Sequence, residues 1–157
     1  MPNLFLSNWE ASNNKSLIAK NQIKAVITIE TTSKPRDILE FYKANNIDFM
    51  YLALGDLPSE NIAKYFNTSY DFINRHISRG ESVLVHCAAG VSRSVTLVIN
   101  YIIRKYFIGQ SNDSPDFIVD WVINFIRGVR PYVNPNSGFR NQLINASATR
   151  YRTLFPI

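Results

Sequence analysis

The chain carries one cysteine, Cys87. It stands in "LVHCAAGVSRS" (84–94), between an apolar run and a stretch of mostly small residues that ends in Arg93 and Ser94. A lone thiol cannot form an internal disulfide, and with His76 and His86 the only histidines it lacks partners for a zinc site, so no metal is expected. Nucleophilic chemistry is left, and the surroundings suit it. Ala88, Ala89, Gly90, Val91 and Ser92 allow the backbone to curl until successive N–H groups converge on one anion, with Gly90 supplying the freedom in φ. A helix starting near Ser94 would add its positive end to that cradle. A free thiol titrates near 8.5 and is only about 3% ionised at pH 7, but thiols at helix N-termini or beside cations titrate at roughly 3.5–7.5. Cys87 is therefore expected to be largely thiolate at neutral pH.

The neighbours have matching uses. The planar guanidinium of Arg93, expected at the mouth of the cradle, can take two phosphate oxygens at once, which a lysine cannot. Ser94 offers a hydroxyl to the sulfur and can steady it as a leaving group. His86 is expected to brace the loop by hydrogen bonding rather than to transfer protons. Each residue has an inert alternative, since a cysteine after an apolar strand is commonly just buried and a first-turn arginine is commonly solvated. Seven adjacent positions that all suit an anion site and a nucleophile argue together for a phosphate-binding loop.

Such a loop must sit at the carboxyl end of a strand. "IKAVITIE" (23–30), "IDFMYLAL" (47–54) and "SVLVHC" (82–87) are strand-length runs rich in β-branched and aromatic residues. Helical stretches are expected at 9–20, 36–45 and 59–79, so strands alternate with helices as in a mostly parallel α/β sheet. "SVTLVINYIIRKYFI" (94–108) is β-branched, but it is too long for a strand and apolar nearly all round, which predicts a helix buried in the domain. Further helices are expected at 114–129, opened by Ser-Pro, and at 137–152. The fold class expected is α/β, with a central, mostly parallel sheet of about five strands flanked by helices. The phosphate-binding loop then joins a strand to the buried helix, at the end of the sheet where open α/β folds bind ligands.

With 157 residues, 46% of them apolar, one domain spanning 1–157 is expected. The sequence shows no membrane-length apolar run, signal peptide or lipidation motif, so a cytoplasmic or nuclear protein without a membrane anchor is expected. The formal charge of +5 favours anionic partners, but the lysines and arginines are scattered, and a nucleic-acid groove is not expected. Nothing in the sequence fixes an oligomeric state.

"HCAAGVSRS" (86–94) resembles the signature H-C-x-x-G-x-x-R-S of the dual-specificity protein phosphatases, within the cysteine-based tyrosine phosphatase superfamily. "RPYVNPNSGFRNQL" (130–143) is similar to a second segment of that family, and the resemblance implies that Asn136 within it supports the loop. The family needs a general acid on a separate loop roughly thirty residues before the cysteine. In "GDLPSENIAKYF", Asp56 stands 31 residues before Cys87 and is the implied acid. The resemblance implies hydrolysis of phosphotyrosine and phosphoserine or phosphothreonine in proteins through a phosphocysteine, without cofactor. A phosphoinositide or RNA 5′-phosphate substrate is the alternative, weakened by the absence of lysine between Cys87 and Arg93. A non-catalytic phosphate-binding role is disfavoured because cysteine, arginine and acid are all present. The chain departs from the family by about nine extra residues before the "RP" segment, expected as an enlarged loop around Gln110 to Pro115.

Overall fold

The computed structural model describes residues 3–109 and 113–154, with side chains described as far as residue 149. Four strands, β1 (Leu4–Ser7), β2 (Ile23–Ile29), β3 (Asp48–Leu52) and β4 (Ser82–His86), form one sheet in the order β1-β4-β2-β3 with every pairing parallel. Parallel neighbours need crossovers, and helices supply them. α1 (Trp9–Ser12), α2 (Lys15–Lys20), α3 (Arg36–Ala44) and α4 (Phe66–Ile77), preceded by a 3-10 turn at Ala63–Tyr65, lie between strands, and α5 (Arg93–Tyr106), α6 (Pro115–Arg127) and α7 (Ser137–Leu154) follow β4.

The α/β class and the parallel sheet are as expected, with corrections of detail. Among the described residues the sheet has four strands rather than about five. One of the four, β1, was not expected, because "LFLS" is too short to show a period. The helix expected at 9–20 is broken in two: the Asn14 side chain accepts the Leu17 N–H and caps a new helix in place of continuing the first. The helix expected at 59–79 runs only from 66 to 77 after the 3-10 turn. The loop expected around Gln110 to Pro115 falls mainly on residues 110–112, outside the described residues; α6 begins at Pro115.

Alternation along the strands sorts side chains between two layers. Val83, Val85 and Cys87 of the β4 line face the larger cluster, built with α4 to α7, whereas Leu84 faces the smaller one with Ile18 of α2 and Ile38 and Tyr42 of α3. An irregular register between Ile23 and Ala25 puts those two β2 residues into different layers. Cys87 is thereby aimed at α5, and His86 at the opposite face. α5 is buried from Arg93 to Ile103. Its β-branched residues lose at most about 0.7 kcal/mol each to poor helix propensity, whereas burying a Val or Ile contributes roughly 1.5–3 kcal/mol, so packing decides the conformation.

Candidate active site

The chain from Cys87 to Ser92 links β4 to α5. The direction of its peptide groups can be read from where its carbonyls go. Cys87 O lies 3.3 Å from His86 Nδ1, Ala88 O accepts from the Trp9 N–H at 2.9 Å, and Ala89 O and Gly90 O accept from Arg130 Nη2 and Nε at 3.0 and 2.9 Å. Val91 O accepts from the Asn134 N–H at 2.8 Å, and Ser92 O from both the N–H and the hydroxyl of Thr96 at 2.9 Å. Six consecutive carbonyls are thus held by donors outside the loop. A trans peptide points its N–H opposite to its C=O, and no bond among the described residues is cis, so the intervening N–H groups turn to the inside of the loop. One of them, from Gly90, donates to Cys87 Sγ at 3.3 Å. Gly90 has φ +67, and a Cβ there would overlap the Ser7 carbonyl oxygen, so the turn requires glycine.

Cys87 is 1% exposed and lies 3.1 Å from Ser94 Oγ, so its sulfur sits under the loop with a hydroxyl and an amide beside it. Ser92 occupies the N-cap position of α5, yet its side chain makes no capping bond. Its hydroxyl donates to Asp56 Oδ1 at 2.7 Å instead, so it satisfies none of the N–H groups at the start of α5. An uncapped helix start facing the sulfur is an anion site.

Arg93 is 6% exposed and crosses the ends of β2 and β3, donating from Nη1 to Glu30 Oε1 at 2.7 Å and to Leu54 O at 3.0 Å. Its Nε is buried without a hydrogen-bond partner, 3.8 Å from Asp56 Oδ2. The sequence had the guanidinium open at the mouth; the structure commits one edge of it to Glu30 and leaves Nε in an ion-pair contact with Asp56 but without a hydrogen bond. Burial pushes the Glu30 carboxyl up, but hydrogen bonds from Arg93 and the Thr31 N–H, with the Arg93 charge, outweigh it and hold the group below the usual carboxylate range.

Asp56 follows β3, and its Oδ1 accepts from Ser92 Oγ and, at 2.8 Å, from Asn136 Nδ2. Asn136 also gives its N–H to Ser92 Oγ at 3.1 Å and accepts the Phe139 N–H at 3.0 Å, which caps α7. The loop that carries Asp56 rests on α7: a Cβ at Gly138 would overlap the Pro58 carbonyl, and Gln142 bonds both Glu60 O and the Ala63 N–H. His86 is fully buried, with Nε2 2.7 Å from Thr28 Oγ1. A carbonyl only accepts, so Nδ1 carries the proton towards Cys87 O and Nε2 accepts from Thr28. Burial, helped by the Lys34 charge, pulls the imidazole down to about 3, and it stays neutral.

The structure brings together all the residues singled out from the sequence: Cys87, Arg93, Ser94, Asp56, Asn136 and His86 around the loop 88–92. Sequence reasoning missed Glu30, Arg130, Asn134 and Trp9. Glu30, an acid closing a buried strand, carried a signal that could have been read; Asn134 and Trp9 act through backbone N–H groups, which leave no mark in residue type.

The family model described as "Dual specificity phosphatase, catalytic domain" matches residues 4–149. The chain belongs to the dual specificity phosphatase family. It is 34% identical over 143 residues to dual specificity protein phosphatase 22-B of Danio rerio and to dual specificity protein phosphatase 22 of Homo sapiens, covering 91% of this chain and 69% of each relative. Among solved structures, DUSP15 matches with a TM-score of 0.80 at 28% identity, covering 98% of this chain and 91% of that one. The Yvh1 phosphatase domain from Chaetomium thermophilum matches with a TM-score of 0.84 at 28% identity, over 95% and 92% of the two chains. Membership of this family implies phosphorylated proteins as the substrate class.

Proposed function

We propose that the protein hydrolyses phosphotyrosine and phosphoserine or phosphothreonine in proteins by two in-line displacements at phosphorus, with Cys87 as nucleophile. The observation that carries this reading is the outward anchoring of six loop carbonyls around the sulfur. It leaves a ring of N–H groups aimed where the equatorial phosphoryl oxygens would lie, and the Nε of buried Arg93, which makes no hydrogen bond, adds a charged donor. Donors fixed in advance cost no reorganisation when charge spreads over those oxygens.

In the first step the Cys87 thiolate forms an S–P bond as the P–O bond to the substrate breaks, and Asp56 gives its proton to the departing oxygen. In the second, a water oxygen attacks phosphorus, Asp56 takes a proton from that water, and the S–P electron pair returns to sulfur while Ser94 donates a hydrogen bond to it. Inorganic phosphate leaves and the enzyme is restored. Ser92 and Asn136 bind Oδ1 of Asp56, which directs Oδ2 as the oxygen that handles the proton.

The test is turnover of a small aryl phosphate in the presence of a chelator, with vanadate as competitor, followed by phosphopeptides, phosphoinositides and 5′-phosphorylated RNA. Wild type should act on the aryl phosphate and on phosphopeptides, and Cys87→Ser should be inactive. Retained turnover by Cys87→Ser would rule out the covalent route, and preference for lipid or RNA would replace protein as the substrate.

A further inference from the structure

Arg130 follows α6 and reaches back to the phosphate loop, 40 residues earlier in the chain, where its Nε and Nη2 donate to Gly90 O and Ala89 O. The positions of these two acceptors matter. The carbonyl of Ala89 and the N–H of Gly90 belong to one peptide plane, and that N–H donates to Cys87 Sγ. Arg130 and the nucleophilic sulfur therefore hold opposite ends of the same peptide. The next plane runs from Gly90 O, on Arg130 Nε, to the Val91 N–H on the inner side of the loop.

We propose that Arg130 is a positioning residue of the phosphate loop: its guanidinium fixes the Ala89–Gly90 and Gly90–Val91 peptides with their N–H groups towards the sulfur and the phosphoryl oxygens. The claim rests on the phosphatase reading given above and adds to it the device that keeps the ring of amides inward. The need for one is physical. Gly90, at φ +67, has no side chain to restrain its flanking peptides, and Ala89 at the adjoining position is exposed. A peptide there can turn over by compensating rotations and present its carbonyl to the anion, which converts a donor into a repulsive acceptor. Two N–H groups of one rigid fork on two adjacent carbonyls oppose that turn; a lysine's donors rotate about one nitrogen on a flexible stem and lack the fork's fixed spacing. The charge also polarises the Ala89–Gly90 amide, strengthening the hydrogen bond its far end gives to sulfur. Tyr132, with its ring 5.6 Å from the guanidinium, supports the fork from the side.

The experiment compares wild type, Arg130→Ala and Arg130→Lys in three ways: orthovanadate affinity by calorimetry, the pH dependence of Cys87 alkylation by iodoacetamide, and kcat and KM for an aryl phosphate. A thermal melt of each protein shows that it is folded at the assay temperature. For Arg130→Ala, vanadate affinity and kcat should fall by about 10- to 100-fold, the scale expected for losing charge-assisted hydrogen bonds at a carbonyl. Half-maximal alkylation should move to higher pH. Arg130→Lys, which keeps the charge but not the fork, should lose most of the same function. Wild-type vanadate affinity and alkylation in Arg130→Ala would overturn the proposal, as would a fully active Arg130→Lys, since charge alone would then suffice. A lowered melting temperature with all three readouts unchanged reduces Arg130 to a stability residue and also overturns it. If wild type binds vanadate yet turns nothing over, the hydrolase reading fails while the vanadate and alkylation comparisons still decide the role of Arg130.

Discussion

The Ser92 hydroxyl donates to Asp56 Oδ1 across 2.7 Å, joining residues 36 positions apart in the chain. Because Asn136 Nδ2 reaches the same oxygen at 2.8 Å while its N–H donates to Ser92 Oγ, three elements meet at one carboxylate: the phosphate loop, the acid loop and the start of α7. The residue that could have capped α5 fixes the acid instead.

Removing either donor should therefore misplace the proton donor without emptying the anion site. Ser92→Ala and Asn136→Ala are each expected to lower kcat about 10-fold, on the scale of one hydrogen bond to a charged acceptor, with KM little changed. The double variant should lose less than the product of the two, because both donors serve one oxygen. Steady-state kinetics on an aryl phosphate checks this; full additivity would mean that the two donors act independently.

Much of this arrangement was legible in the sequence because it lies in short contiguous segments. Cys87 to Ser94 gives nucleophile, loop and helix start in one run, and the buried character of α5 showed in apolar residues on every side. Asp56 was legible only through the family resemblance, since an aspartate between Gly55 and Leu57 reads by itself as a turn residue. What was not legible depends on long-range pairing. Glu30 meets Arg93 only after β2 and β4 are laid side by side, and Arg130 meets Ala89 and Gly90 only after α6 packs against α5. β1 was hidden for a different reason: four residues gain strand conformation from the neighbouring β4, not from their own pattern.

His86 predicts an acid limb in stability. Its folded-state value, pulled down to about 3, lies below the ordinary 6.5, so between those limits the unfolded chain binds the proton and the folded chain does not. Stability from this residue is complete above about pH 6.5 and should decline by roughly 1.4 kcal/mol per pH unit as acid is added, until the folded form titrates. Urea denaturation of wild type and His86→Asn from pH 7 to pH 4 tests it. The variant should be less stable at pH 7, through loss of the Thr28 and Cys87 contacts, and should show a shallower fall. Parallel curves would remove His86 as the source.

Glu30 and Arg93 form a buried pair, so removing one partner leaves the other charged and unmatched. Glu30→Ala should cost about 3–5 kcal/mol of stability and should also release the Arg93 guanidinium from its fixed orientation. Glu30→Gln keeps an oxygen acceptor for Nη1 and should be intermediate. The carboxyl is held below its usual range, so its contribution is complete above the ordinary carboxylate pKa and is lost as pH falls through the depressed folded-state value. Denaturant midpoints and phosphate inhibition of both variants at pH 7 give the comparison. Unchanged phosphate affinity in Glu30→Ala would show that Arg93 needs no support from behind.

The role given to Asp56 predicts a dependence on the leaving group. An alkoxide leaving from phosphoserine needs a proton as the P–O bond breaks, whereas a nitrophenolate carries its charge unaided, so donation matters most for the poorer leaving group. Asp56→Asn keeps an oxygen that can accept from Ser92 and Asn136 but has no carboxyl proton to give. It should lose about 100- to 1,000-fold in kcat on a phosphoserine peptide and markedly less on p-nitrophenyl phosphate, within the range seen for general acids. Plotting log kcat against leaving-group pKa should give a steep negative slope for the variant and a shallow one for wild type. Equal losses across the series would show that the carboxylate only orders the loop through Ser92 and Asn136, and the proton would then have to come from solvent.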